Sequence, residues 1–286
     1  MNKRIIVAAL AVLFSASASA HVSYSTRDFF ANGVQSGNTW TLSNQRVTSD
    51  FGWADGADAD SGDSHRLRWA RFTLTDTSTV SITVSAAGFD YLSGGSMLTA
   101  LGDLMPGFSL YRGIAPGAAY EAGDHPDYIA HHPGLLPTVS YVVTNPSAPL
   151  GVREGAFNAT GDFWLGNKLS EVGDAAWASG HLVYVGHAVD GAGVDINGDG
   201  KLDLVGDGRA NGSVTASFTL GAGSYSLILG GADYASQYVD LAGGSAQRGF
   251  SAALTVSAVP EPDAWALMLA GVGLIGLIAR RRTSMR

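Results

Sequence analysis

The stretch DINGDGKLDLVGDG, residues 195–208, is the sharpest constellation of oxygen-bearing side chains in the sequence. Asp195, Asn197 and Asp199 alternate through it, and Gly200 permits a sharp turn directly after them. Calcium takes six to eight oxygens, and alternate positions of a tight loop bring several to one point. The chemistry indicated is structural Ca2+ binding, with the weak affinity usual for extracellular modules. The competing reading is a solvated Asp/Gly turn that holds no ion.

This stretch resembles the calcium loop of EF-hand and dockerin modules, and still more the Asp-rich loop of VCBS and FG-GAP repeats. On that resemblance Asp195, Asn197 and Asp199 take positions 1, 3 and 5, Lys201 offers its carbonyl from position 7, and Asp203 is the ligand at 9. Position 12, a bidentate Glu in an EF-hand, is Gly206 here, so Asp207 stands as the substitute. A strand pair is expected on either side rather than two helices, which excludes a calcium sensor. A second acidic stretch, DGADADSGDSH at 55–65, has irregular ligand spacing and reads as a solvated loop; Asp50 and Asp63 have no better claim.

Other chemistries find less support. Among the seven histidines, His131 and His132 are adjacent and point differently on most backbones. Pro126 and Pro133 make their surroundings a loop, and no HExxH pattern occurs. The stretch GGSMLTALG at 94–102 lacks the GxSxG nucleophile elbow. Without cysteine, thiol catalysis and Cys-ligated zinc are excluded. Tryptophans 40, 53, 69, 164 and 177 could form a sugar-stacking platform, although buried tryptophans are the commoner outcome in a sandwich.

The elements that must position these residues are strands. Residues 70–91 alternate apolar and polar, with Phe72 and Leu74, then Val80, Ile82 and Val84. Residues 216–234 repeat the scheme, and both stretches share the order A-x-F-T-L, turn, strand, D-Y. A recurrent hairpin is the expected meaning, with a two-sheet pseudo-repeat as the alternative. Further strands are expected at 40–47, 108–111, 139–144, 182–187 and 249–256, and short helices at 127–131 and 169–178. Gly, Asn, Asp, Ser and Pro fill the intervals, and the chain has 38 glycines in all. The class expected is all-β: a single β-sandwich, jelly-roll-like, with long Gly/Asp-rich loops. The stretch FSLYRG at 108–113 loosely resembles pre-peptidase C-terminal and carbohydrate-binding jelly rolls; fold likeness alone confers no function.

Both ends read as addresses. Residues 1–20 have a basic start at Lys3 and Arg4, a short apolar stretch and Ala18-Ser19-Ala20, the layout of a signal peptide cleaved between Ala20 and His21. His21 would then be N-terminal, resembling the first half of the copper-binding histidine brace of lytic polysaccharide monooxygenases. A single residue carries that likeness. At the other end Pro260-Glu261-Pro262 precedes an apolar run, 265–279, and then Arg280, Arg281 and Arg282. As one C-terminal transmembrane helix the run reaches about 22 Å, and the arginines hold its end on the cytoplasmic side.

These three parts in order resemble the PEP-CTERM sorting signal. The resemblance implies recognition by an exosortase, cutting near the PEP motif, in a Gram-negative bacterium that also makes exopolysaccharide. An ordinary C-terminal anchor is the alternative.

The expected organisation is a signal peptide at 1–20, an extracytoplasmic sandwich at 21–258 and a sorting signal at 259–286. Two of the 25 acidic residues and six of the 17 basic ones fall in the ends, so the body carries about −12. That charge argues against nucleic acid as partner. The reading is an exported, non-enzymatic cell-surface or matrix protein, tethered to the inner membrane before processing and associated with exopolysaccharide. A carbohydrate-binding module and a secreted copper-dependent polysaccharide oxidase using His21 are the alternatives.

Overall fold

The computed structural model describes residues 23–53, 66–115, 159–164, 181–194, 201–202, 204–233 and 246–259, together with 268, 270, 272 and 275. A short helix, α1 (Phe29–Asn32), is capped by Asp28, whose side chain accepts from the Phe30 and Ala31 amides. In chain order the strands are β1 (Val34–Ser36), β2 (Thr39–Thr48), β3 (Arg68–Leu74), β4 (Ser78–Ala86), β5 (Phe89–Ser93), β6 (Ser96–Ala100) and β7 (Pro106–Arg112). After them come β8 (Phe163–Trp164), β9 (His181–Val189), β10 (Gly193–Val194), β11 (Leu204–Val205), β12 (Ser213–Leu220), β13 (Gly223–Gly231) and β14 (Gln247–Ala258).

Two five-stranded antiparallel sheets form the body. The first runs β1-β2-β14-β4-β12 and the second β3-β13-β7-β9-β8. Within them the eight longest strands pair as one folded ribbon: β2 with β14, β3 with β13, β4 with β12, β7 with β9. Successive pairs alternate between the sheets, which is the jelly-roll arrangement. The all-β sandwich expected from alternation is therefore the fold.

The repeated A-x-F-T-L stretches do not make hairpins within one sheet. Residues 75–77 carry the chain from β3 in the second sheet to β4 in the first, and 221–222 return it from β12 to β13. The two links are corners of the sandwich, because the strands on either side must point into one shared core. Leu74 and Val80 flank the first corner, Leu220 and Tyr225 the second, and all four are buried there. Phe72 stacks on Tyr225 with centroids 5.3 Å apart, and Phe29 from α1 meets Phe72 edge-on.

The two outer faces differ. A second buried cluster lies on the outside of the second sheet, including Trp53, Trp69, Tyr111, Leu182 and Ile228. Strands β7 and β13 are consequently buried on both faces, as continuous apolar runs require. No such layer covers the first sheet among the described residues, and Ser and Thr dominate its outer face. Strand β14 is hydrogen-bonded on both sides, by β2 and β4, and its last residue, Ala258, still pairs with Ser78.

Candidate functional site

On the outer face of the second sheet one β-bulge assembles a polar and aromatic cluster. Leu110 pairs with Gly186 and Tyr111 with Tyr184, leaving Val185 as the extra residue of β9. Residues three apart on a regular strand face opposite ways; the bulge turns Tyr184 and His187 to the same face. The Tyr184 hydroxyl lies 2.5 Å from His187 Nδ1. The Trp53 ring sits 5.9 Å from the imidazole, and Tyr111 meets Tyr184 edge-on at 6.0 Å. Asp162 Oδ1 accepts the Tyr184 amide at 2.9 Å. Burial lowers the His187 pKa and raises that of Tyr184, so the imidazole is favoured in its neutral form.

Ser109 is the cross-strand partner of His187, yet the two do not form a nucleophile–base pair. The buried Ser109 hydroxyl donates to the Ala159 carbonyl at 2.5 Å and accepts from Trp53 Nε1 at 2.9 Å. Its proton is committed to a backbone oxygen. The cluster locks Trp53 and the 159–162 turn onto β7 and β9. Gly107 makes room for it, since a Cβ there would lie 2.4 Å from the Trp53 ring; on the opposite face of the sheet, a Cβ at Gly186 would lie 2.7 Å from Phe218 of the central core. An interior glycine in a strand run marks a bulge or a close approach, and Gly186, beside the bulged Val185, is the one local sign of irregularity that β9 carries.

A cleft of about 500 Å³ opens at one end of the sandwich, beside Asp50, Asp103, Asp190 and Asp233. Its carboxylates are engaged in holding chain segments together. Asp50 Oδ1 accepts the Met105 amide at 2.7 Å, and Asp190 accepts from Asn211 and Gly212. Arg248 Nε donates to Asp103 at 2.8 Å and lies 4.0 Å from Asp50. Burial pushes the Asp50 carboxyl up to about 7 despite the Met105 bond and Arg248. Among the described residues no three His, Cys, Asp or Glu side chains are grouped to hold a metal.

The loop at 195–203 is bracketed by β10 and β11, which pair Gly193 with Val205 and Val194 with Leu204. Asp195, Asn197, Asp199 and Asp203 lie outside the described residues. Lys201 is exposed, and β11 separates it along the chain from Asp207. Asp207 Oδ1 accepts the amides of Gly191 and Arg209 at the base of the hairpin. The structure thus places Lys201 and Asp207 at opposite ends of the paired strands.

Of the tryptophans proposed as a stacking platform, Trp53 and Trp69 are buried. Trp40 packs against the central core and against Phe30. No side-chain placement is described for Trp164, and Trp177, Ala20 and His21 lie outside the described residues, as do 139–144 and both expected helices. Pro260, Glu261, Pro262, Arg280, Arg281 and Arg282 also lie outside them. In the expected C-terminal helix, Met268, Ala270, Val272 and Ile275 are helical and exposed. No helix among the described residues is long and apolar enough to cross a membrane.

No curated protein matches the chain. Among solved structures, it is similar to the surface-associated copper-binding protein CorA of Methylomicrobium album BG8, at 18% identity and TM-score 0.41, covering 82% of this chain and 97% of that one. It is also similar to the secreted protein MopE of Methylococcus capsulatus, where an oxidized tryptophan facilitates copper binding, at 19% identity and TM-score 0.35, covering 82% and 87%. Residues 258–282 match the PEP-CTERM protein-sorting motif. By that motif the chain is an exosortase substrate, exported through a membrane-anchored intermediate to the cell surface or the extracellular space.

Proposed function

We propose that the chain is a non-enzymatic component of the cell surface or extracellular matrix, working in association with exopolysaccharide. One observation carries this reading: the sorting motif begins at Ala258, the residue on which the last strand of the sandwich ends. Cutting at Pro260-Glu261-Pro262 therefore removes the tail without removing any strand of the core. Strand β14 spans about 36 Å at ~3.3 Å per residue. Arg248 and the carboxylate cleft accordingly sit at the far pole from the membrane tail. We further propose a structural calcium ion in the 195–203 loop, whose alternating oxygen-bearing residues lie between the paired strands β10 and β11.

Fractionation of producing cells tests the reading. The processed protein should stay with the surface or matrix fraction and leave it when polysaccharide is enzymatically removed. Recovery in the soluble medium, unchanged by polysaccharide removal, would count against it.

A further inference from the structure

We infer that the outer face of the first sheet is the surface on which the chain lies against a neutral polysaccharide. This rests on the matrix reading above and names the surface and the ligand chemistry that serve it. The register aligns outward residues of four strands into transverse rows. One row is Thr215, Thr83, Ala253 and Thr41; the next is Ser217, Ser81, Thr255 and Thr39. The rows on either side continue with serine and threonine at every paired position of β12, β4 and β14. No charged residue stands in this block, and all of its positions are exposed or half-buried.

A solvated antiparallel sheet face is ordinarily polar, and charges are a common way to keep it from sticking to other chains. Here the charges lie elsewhere: Asp50, Asp103, Asp190 and Asp233 cluster at the end of the sandwich. The second sheet carries a second core on its outer face, while among the described residues this Ser/Thr block of the first sheet has no such cover and no charge; Arg46 of β2 stands beyond it, over the Tyr91 ring.

The hydroxyls are ordered in pairs. Thr83 and Thr215 lie 2.8 Å apart, Ser85 and Ser213 2.8 Å, and Thr39 and Thr255 2.7 Å. A hydroxyl has one proton and two lone pairs, so each pair spends one proton between its members and keeps a donor and acceptors for a ligand. Such a surface complements a polyhydroxyl chain, whose groups also donate and accept. Threonine is stiff at χ1, so little side-chain freedom remains to be lost on binding. A body of about −12 repels sugar acids and leaves neutral sugars favoured. A second copy of the chain fits poorly. The block covers roughly 300 Å² by strand and residue spacing, against about 800 Å² per partner in a stable interface, and it offers no aromatic, Met or Arg anchor.

The test uses processed protein from producing cells, with the exopolysaccharide separated by anion exchange into neutral and acidic fractions. Affinity electrophoresis compares wild type, the double variant Thr83→Val/Thr215→Val and Thr73→Val. Valine keeps shape and strand preference. Thr73 is a control because it makes the same kind of hydroxyl pair, 2.9 Å to Ser224, on the other sheet. The expected result is retardation of wild type and Thr73→Val by the neutral fraction, with affinity of the double variant about tenfold weaker, as two lost hydrogen bonds imply. Equal retardation of all three proteins would overturn the hydroxyl face while leaving the matrix reading in place. Binding to the acidic fraction alone would overturn the neutral ligand. If neither fraction retards wild type, polysaccharide association fails as well.

Discussion

The Tyr184 hydroxyl and His187 Nδ1 lie 2.5 Å apart because a single extra residue, Val185, turns both side chains to one face of β9. Burial lowers the His187 pKa from its ordinary 6.5, so the unfolded chain binds this proton more readily than the folded one. Stability from this group is present above about 6.5 and is lost as pH falls through the lowered value. NMR titration should find His187 below 6.5, and Tyr184→Phe should move it upward by removing a partner of the neutral ring. A His187 midpoint at or above 6.5 in wild type would contradict the burial argument.

Asp50 has the opposite sign. Its carboxyl is raised from 3.8 to about 7, chiefly by burial, so the folded state holds the proton more tightly. Its stabilising contribution is complete below about pH 4 and declines as pH rises to about 7. Asp50→Asn should flatten that part of the melting profile, since an amide oxygen can still accept the Met105 N–H. An unchanged pH slope in the variant would place the titration on another group.

Gly107 tests the second core. Its Cα side faces the Trp53 ring, where a methyl group would clash at 2.4 Å. Gly107→Ala should cost about 1–3 kcal/mol or more, the usual range for overpacking, measured by urea denaturation of purified body. A cost near zero would mean that Trp53 can move aside.

The loop at 195–203 gives a prediction with a built-in control. A ligand that prefers the native state raises its stability, so millimolar calcium should raise the melting temperature relative to chelator, and Asp199→Ala should abolish that difference. Asp207→Ala should lower melting with and without calcium, because Oδ1 holds the Gly191 and Arg209 amides, while leaving the calcium shift in place. Superimposable wild-type curves would mark the loop as a plain turn.

The alternation of Val80, Ile82 and Val84 is enough to read β4 and its buried face, because period-two burial is a local property. The corner after Leu74 is not local. A short turn between two alternating runs looks alike whether the second strand pairs with the first or crosses to the other sheet, and the shared core decides. Two-sided burial of β13 had a visible sign, Ile228 set between Leu227 and Leu229, which an alternation reading passes over. The Tyr184–His187 contact was hidden by a bulge that only Gly186 hinted at. Asp50 reads in sequence as one more loop aspartate; its burial follows from the meeting of β2, β7 and β13, where the Asp233 amide donates to its carbonyl and the Met105 amide to its side chain.

The most direct measurement is intact-mass and terminal-peptide spectrometry of the protein recovered from the surface and medium of producing cells. The expected chain starts at His21, ends close to Pro260-Glu261-Pro262 and retains Ala258, with the apolar run and its arginines gone. A chain still ending at Arg286, recovered from the cytosol, would contradict it.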